Sequence, residues 1–371
     1  MKKILIMNDL LYGGGVEKMM MDLVNNISSK NYDITILTPN KDRFNRKYYR
    51  NDIKFMSIQG YLFKENNMFF RACNKILKKI NRFICISKLN YSNFDVAIAI
   101  KEGRIMKFIS QIKAKKSLAW IHTDYEVFHW TKNSFGIGNK FGELECMKKF
   151  DKVVCVSEST KKSVIKIVGN PQNLCVKYNP INEIEIEKKS KEYIVEKRSS
   201  GKTLFVTVGR LTSQKGYKRL LNTCIELNKE QYNYELWIIG SGEEELELRK
   251  IIEENNLNNI KLLGLQENPY KYMKEADWFI CSSIWESFGI AIQESIILGV
   301  PVITTNCPGA CELLDTSVNS IIVENSQDGI LKGMKKALNN SDLLKFYKGK
   351  IKYLSEDFKL EKRIKRIEEL F

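Results

Sequence analysis

The chain has 371 residues, 43% hydrophobic and 28% charged, the balance of a globular protein too long for one typical core, so two domains are expected. No apolar run approaches the ~20 residues that span a bilayer, and segment 1–7 is too short for a signal-peptide apolar region. Nine cysteines without paired spacing fit a reducing compartment. The net charge of +16 is lopsided: residues 1–180 hold 32 of the 60 Lys and Arg and 15 of the 44 Asp and Glu, a balance of +17, which leaves the remainder at −1. That excess points to an anionic partner of the first half: nucleic acid, an acidic membrane surface or a phosphorylated acceptor.

In chain order, residues 3–7 read as a buried strand, Gly13-Gly14-Gly15 as a loop, 16–29 as a helix and 33–37 as a second strand closed by Pro39. This is a βαβ unit with glycines at the strand-to-helix turn, where phosphate-facing loops occur. The triplet is not Gly-x-Gly-x-x-Gly and no Gly-Lys-Ser/Thr follows, so a dinucleotide site and a Walker loop both fit poorly. Residues 41–93 are less regular. Within them a helix over 68–84 would place Phe69, Ile76, Ile80, Phe83 and Ile84 on one side, with Lys75, Lys78, Lys79 and Arg82 toward the other. Such a helix either packs its stripe on the sheet or lies in an acidic membrane interface, and the pattern leaves both open.

Strands are expected at 95–100 and 116–121, the second ending at His122-Thr123-Asp124-Tyr125, at the carboxyl end where α/β proteins place ligands. A lone histidine is more often structural, but this one follows a strand directly. His129, beside Trp130, reads as structural. A strand at 151–156 leads into Ser157-Glu158-Ser159-Thr160, a helix cap. The charged, apolar-poor stretch 183–200 reads as the linker.

A strand at 203–208 opens the second half, followed by Gly209-Arg210-Leu211 and Lys215-Gly216. An arginine and a lysine five apart in a loop at a strand end can both reach one diphosphate. A helix at 220–227, strands at 235–239 and 260–264 and a short helix at 270–276 come next. The densest stretch is 278–314: a strand, then Ser282 and Ser283, then Glu286-Ser287-Phe288-Gly289 turning into a helix over 290–298, Gly299, and a strand at 301–305. Glu286 and Glu294, eight apart, place one carboxylate at the capping loop and the other about two turns along, near one face. Amides at a helix N-terminus beside a glycine form an anion site, and carboxylates accept from sugar hydroxyls, which suits a sugar carried on a diphosphate. The tail, 328–371, is helical by period and rich in lysine. Cys307 and Cys311 lack a third ligand nearby, and no Asp-x-Asp occurs in the chain.

The Glu-x7-Glu spacing, the Phe-Gly inside it, Gly299-Val-Pro-Val-Ile303, Gly309-x-x-Glu312 and Gly209-Arg-Leu with Lys215-Gly216 resemble the donor-binding signature of the family 4 glycosyltransferases. Those are retaining enzymes of the GT-B fold, an α/β architecture in which two Rossmann-like parallel-sheet domains face a central cleft. The resemblance extends over essentially the whole chain and is loosest at 41–115. It implies an acceptor-binding domain at 1–180, a nucleotide-sugar-binding domain at 181–352, and a last helix, 353–371, that crosses back onto the first. Gly14 and Gly15 would face the donor diphosphate, and His122, in a Trp-x-His context, would lie near the donor sugar. Gly209, Arg210 and Lys215 would clamp the diphosphate, Glu286, Phe288, Gly289 and Ile290 would hold sugar and phosphate, and Glu294 the ribose. His122, Arg210, Lys215 and Glu286 make up the implied catalytic set, with no metal or other cofactor expected.

The expected reaction is retaining transfer of a hexose or N-acetylhexosamine from a nucleotide-diphosphate sugar, UDP favoured over GDP-mannose. The acceptor would be a glycan or polyprenyl-diphosphate-linked oligosaccharide in bacterial surface polysaccharide synthesis. The enzyme would be cytoplasmic and peripheral on an anionic membrane, with no nucleic-acid partner. A nucleotide-sugar epimerase of the same architecture is the alternative, though it needs more acid/base groups than two histidines suggest. A basic nucleic-acid-binding protein is permitted by the pI of about 9.2, but no recognisable motif or interleaved aromatic platform supports it.

Overall fold

The computed structural model describes residues 1–9, 14–39, 46–58, 68–127, 140–194, 196–312, 314, 316–351 and 358–371. Gly13, His129 and segment 353–357 lie outside the described residues. The chain divides into two compact units, Met1–Pro180 with Arg363–Phe371, and Ile181–Lys362.

The first unit is built on β1 (Lys2–Met7), β2 (Tyr32–Thr38), β3 (Lys54–Ser57), β4 (Phe94–Ala99), β5 (Ala114–Ile121), β6 (Lys152–Cys155) and β7 (Leu174–Val176). They pair in parallel in the order β3-β2-β1-β4-β5-β6-β7. Ile4 pairs with Ile34 on one side and Val96 on the other, and Ile4, Leu5 and Ile6 are all fully buried. Such two-sided burial is why central strands read as unbroken apolar runs. The edge strands β3 and β7 have no fully buried residue, so they lack that run, and the sequence pattern passed over both. The first helix covers Gly15–Asn26, shorter than expected, because Ile27 already has extended backbone. Ser157 caps the helix Glu158–Ile167 as expected, accepting from the Thr160 amide at 3.0 Å. The chain's end is fastened here too: Arg363 donates to the Asn179 carbonyl at 2.6 Å, and Phe371 meets Tyr32 edge-on at 5.6 Å.

The irregular region contains a long helix, Met68–Tyr91. Among its described side chains Asn74, Cys85 and Leu89 are buried, whereas Ile76, Ile80, Phe83 and Ile84 are 46–72% exposed; those of Phe69 and Lys75 lie outside the described residues. From Ile76 to Ile84 the stripe therefore does not pack on the sheet; the opposite face, through Cys85 and Leu89, does.

The second unit carries β8 (Thr203–Val208), β9 (Tyr234–Ile239), β10 (Ile260–Gly264), β11 (Trp278–Cys281), β12 (Val302–Thr305) and β13 (Ser320–Val323), parallel in the order β10-β9-β8-β11-β12-β13. Alternate residues feed two cores: Val206, Trp237, Ile239 and Phe279 on one face, Phe205, Leu236, Ile238 and Ile280 on the other. The stretch expected as a linker opens instead as a helix, Glu183–Lys189, capped by Asn182 accepting from the Glu185 amide. Ile186 is its one buried residue and joins Ile181 in the core, a single contact too sparse to register as an apolar period. Both units are thus doubly wound parallel sheets, reversing strand order between β1 and β4 and between β8 and β11. Open sheets of this kind bind ligands at the carboxyl ends of the strands flanking the reversal. Among the described residues, no helix is long and apolar enough to cross a membrane.

Candidate active site

In the second unit β8 runs into the loop Gly209–Gly216 and β11 into the loop Ser282–Gly289, so both loops emerge at the order reversal. They are stitched together: Ser282 Oγ donates to the Lys215 carbonyl at 2.8 Å, the Ile284 amide to the Gln214 carbonyl at 2.8 Å, and Gln214 Nε2 to the Trp285 carbonyl at 3.1 Å. A single turn, Ser213–Lys215, then aims Lys215 at the second loop. Its Nζ lies 2.5 Å from Glu286 Oε1, and the Ser283 hydroxyl donates to the same oxygen at 2.6 Å. Glu286 is 8% exposed, a position a carboxylate tolerates when it is paired and hydrogen-bonded. Burial opposes the charge on Lys215, but the Glu286 carboxylate outweighs it and holds the ammonium's pKa above the usual lysine range.

The helix Ile290–Ile297 starts directly behind this pair. Its cap, Gly289, has φ +64°, a left-handed conformation, and offers no side chain to the first-turn amides. Gly309 lets the next loop close over the site: a Cβ there would sit 2.2 Å from the Glu286 carbonyl oxygen. Phe288 is buried and Ile290 half-buried. Glu294, 6% exposed, accepts from the Tyr270 hydroxyl at 3.0 Å. Glu286 is thus held by an ammonium and a hydroxyl, and Glu294 accepts from a phenol. Arg210 is exposed and its side chain forms no ion pair among the described residues.

Three residues not singled out by sequence hold the Glu286 loop from behind. The Arg219 guanidinium donates to the Ser282 carbonyl at 2.7 and 2.9 Å, to the Ser283 carbonyl at 2.7 Å and to Asn325 Oδ1 at 2.7 Å. Asn325 Nδ2 in turn donates to the Ile284 carbonyl at 2.7 Å. Thr305 Oγ1 donates to the Ser283 carbonyl at 2.6 Å. Arg219 sits one turn beyond Lys215, and an arginine there reads as a solvated surface cation, so no sequence signal marked it.

In the first unit, Gly14 caps and Gly15 begins the helix Gly15–Asn26, again with no side-chain cap. Asn8, just past β1, donates to Glu17 Oε1 at 3.4 Å, and burial pushes the Glu17 carboxyl upward. His122 follows β5, and its amide donates to Glu102 Oε2 at 3.0 Å, while Thr123 Oγ1 donates to Glu102 Oε1. Burial, reinforced by the Lys101 charge and partly offset by a hydrogen bond with Ile100, pushes the His122 imidazole down to about 3. His122 Nε2 is buried and has no hydrogen-bond partner among the described residues. A wide hollow beside Tyr32 and Lys54 lies at the opposite strand ends, away from the reversal.

The chain matches two family models: glycosyltransferase family 4 over residues 13–184, and glycosyl transferases group 1 over residues 188–353. It is 25% identical to an uncharacterized glycosyltransferase of Haemophilus influenzae, over 98% of each chain. It is 29% identical, over 62% of each chain, to a Campylobacter jejuni N-acetylgalactosamine-N,N'-diacetylbacillosaminyl-diphospho-undecaprenol 4-alpha-N-acetylgalactosaminyltransferase. Its fold is similar to that of Anabaena HepE, solved in complex with UDP-glucose, with a TM-score of 0.77 at 17% identity over 99% of this chain and 98% of that one. With two parallel-sheet units and family matches over both, the chain is a glycosyltransferase of the GT-B fold and belongs to glycosyltransferase family 4.

Proposed function

We propose that the chain transfers a hexose or N-acetylhexosamine from a UDP-sugar, with retention, to a glycan or polyprenyl-diphosphate-linked oligosaccharide in surface polysaccharide synthesis. The observation that carries this reading is the Lys215–Glu286–Ser283 cluster at the strand-order reversal, beside a helix whose first turn has no side-chain cap. Lys215 and Arg210 neutralise the diphosphate, and the amides from Phe288 onward add donors already in place as charge grows on the leaving group. Glu286, fixed by Lys215 and Ser283, accepts from hydroxyls of the transferred sugar, and Glu294 from the ribose. His122 offers a neutral imidazole, able to hydrogen-bond a sugar hydroxyl through Nε2. The bond from the anomeric carbon to the diphosphate breaks as the bond to the acceptor oxygen forms on the same face. The acceptor's proton passes to the departing phosphate oxygen. No bridging metal is needed in this scheme, since lysine and arginine supply the positive charge. HepE's UDP-glucose complex supports the choice of UDP, and the Campylobacter relative's undecaprenol-linked substrate supports a lipid-linked acceptor met at an anionic membrane.

Thermal unfolding with UDP, GDP, ADP and their sugar adducts tests the donor, on wild type and on Arg210→Ala. A nucleotide at about a hundred times its Kd stabilises the fold by about 2.7 kcal/mol. A shift with UDP alone that shrinks in the variant is the expected result; no shift with any nucleotide overturns the reading. The anomeric configuration of the product, read by proton NMR, tests retention.

A further inference from the structure

We propose that the outward face of the helix Met68–Tyr91 is a docking surface for an acidic lipid leaflet. On this helix the inward and outward faces are opposed by geometry. Ile76 and Cys85 are nine residues apart, as are Ile80 and Leu89, and nine residues make two and a half turns. Cys85 and Leu89 are buried, so Ile76 and Ile80 point the other way, at 60% and 46% exposure. Phe83 (72%), Ile84 (57%) and Tyr91 (89%) extend the same stripe at helical spacing. A face of this composition turned to water is unusual on a helix already packed through its other side.

Charge identifies the occupant. Positions 68–91 hold six Lys and Arg and no Asp or Glu, and Lys78, Lys79, Arg82 and Lys88 are all exposed. Residues 1–180 carry a balance of +17. An isoleucine and phenylalanine stripe has nothing to contact on a phosphate backbone, which weighs against nucleic acid. Of the exposed cations, Lys79 and Lys88 flank the stripe, about a quarter turn to either side, whereas Lys78 and Arg82 lie seven residues before Cys85 and Leu89, toward the inward face. Two cations beside an apolar stripe match a leaflet, with the stripe at the acyl boundary and the ammonium groups among anionic headgroups. No described helix is long and apolar enough to cross a bilayer, so this one lies on the surface. The surface rests on the peripheral reading above, but vesicle binding needs neither donor nor acceptor, so its failure leaves the transferase reading standing.

The test is flotation of the full chain with phosphatidylcholine vesicles and with phosphatidylcholine–phosphatidylglycerol vesicles. Wild type is expected to float with the anionic vesicles alone. Each exposed cation near an acidic surface is worth about fivefold in binding, so Lys79→Glu with Lys88→Glu should weaken it by well over tenfold. Ile80→Ser with Phe83→Ser should abolish it at any salt concentration, while leaving the UDP thermal shift unchanged. Phe83→Trp reports insertion directly, by a blue-shifted emission on anionic vesicles only. Absence of wild-type flotation overturns the proposal, as does undiminished binding by the Ser double variant. Dimerisation lost in that variant, without vesicle binding, would reassign the stripe to a second copy of the chain.

Discussion

Both units gather polar residues at the carboxyl ends of the strands flanking an order reversal, yet they satisfy them differently. In the second unit a half-buried lysine and a serine converge on one oxygen of a buried glutamate, and an arginine and an asparagine hold the loop from behind. In the first unit His122, just past β5, is driven neutral by burial, and Glu17, in the first turn of the helix after β1, has its carboxyl pushed upward. One reversal holds a compensated ion pair, and the other a neutral imidazole beside the buried Glu102 side chain. A fixed charge preorganised for a diphosphate is worth its desolvation, and a group meant to hydrogen-bond a sugar is not helped by one.

Breaking the compensated charge should have the largest effect. Lys215→Ala leaves Glu286 buried without its cation, an outcome that costs about 3 kcal/mol and should lower kcat about a hundredfold or more. Urea denaturation and initial rates measure the two losses. Adding Glu286→Ala should restore part of the stability and none of the activity, and no recovery would mean that the pair is not what holds the loop. Gly309→Ala comes next, because its Cβ would meet the Glu286 carbonyl oxygen at 2.2 Å. A backbone shift of that kind costs about 1–3 kcal/mol, visible as a lower Tm and a smaller UDP shift. Arg219→Ala removes bonds to two loop carbonyls and should cost about 2 kcal/mol. As a positioning residue it should raise the donor KM more than it lowers kcat, and Arg219→Lys should recover part of that loss.

The same contrast explains what the sequence made legible. Glu286, Gly289 and Glu294 lie within one short strand–loop–helix stretch, so their spacing alone carries the geometry of the loop and the helix behind it. The central strands were equally plain, since burial on both faces leaves a continuous apolar run. Arg219 and Asn325 were not, because the contacts that hold the loop span 41 to 106 positions and each looks like an ordinary surface polar residue. Edge strands β3 and β7 were missed for want of burial, and the helix Glu183–Lys189 because one buried isoleucine makes no period. The amphipathic helix was seen, but its pattern is symmetric to the question of which face turns inward. Only the packing of Cys85 and Leu89 settles that.

The neutral side of the comparison has its own test, smaller in size but direct in sign. The His122 pKa is pushed down to about 3 in the fold, whereas an unfolded histidine titrates near 6.5. Between those values the unfolded chain binds a proton that the folded one refuses, so stability rises with pH there and levels off above about 6.5. The slope is at most about 1.4 kcal/mol per pH unit, and less because the residue is only half-buried even though its Nε2 is fully so. Denaturation of wild type and His122→Asn at about pH 5 and about pH 7 should show wild type losing roughly 1–2 kcal/mol more on acidification. Superimposable pH dependences would mean that the folded protein protonates His122 readily. The imidazole would then enter the reaction as a cation, and the first unit would hold a fixed charge at its strand ends after all.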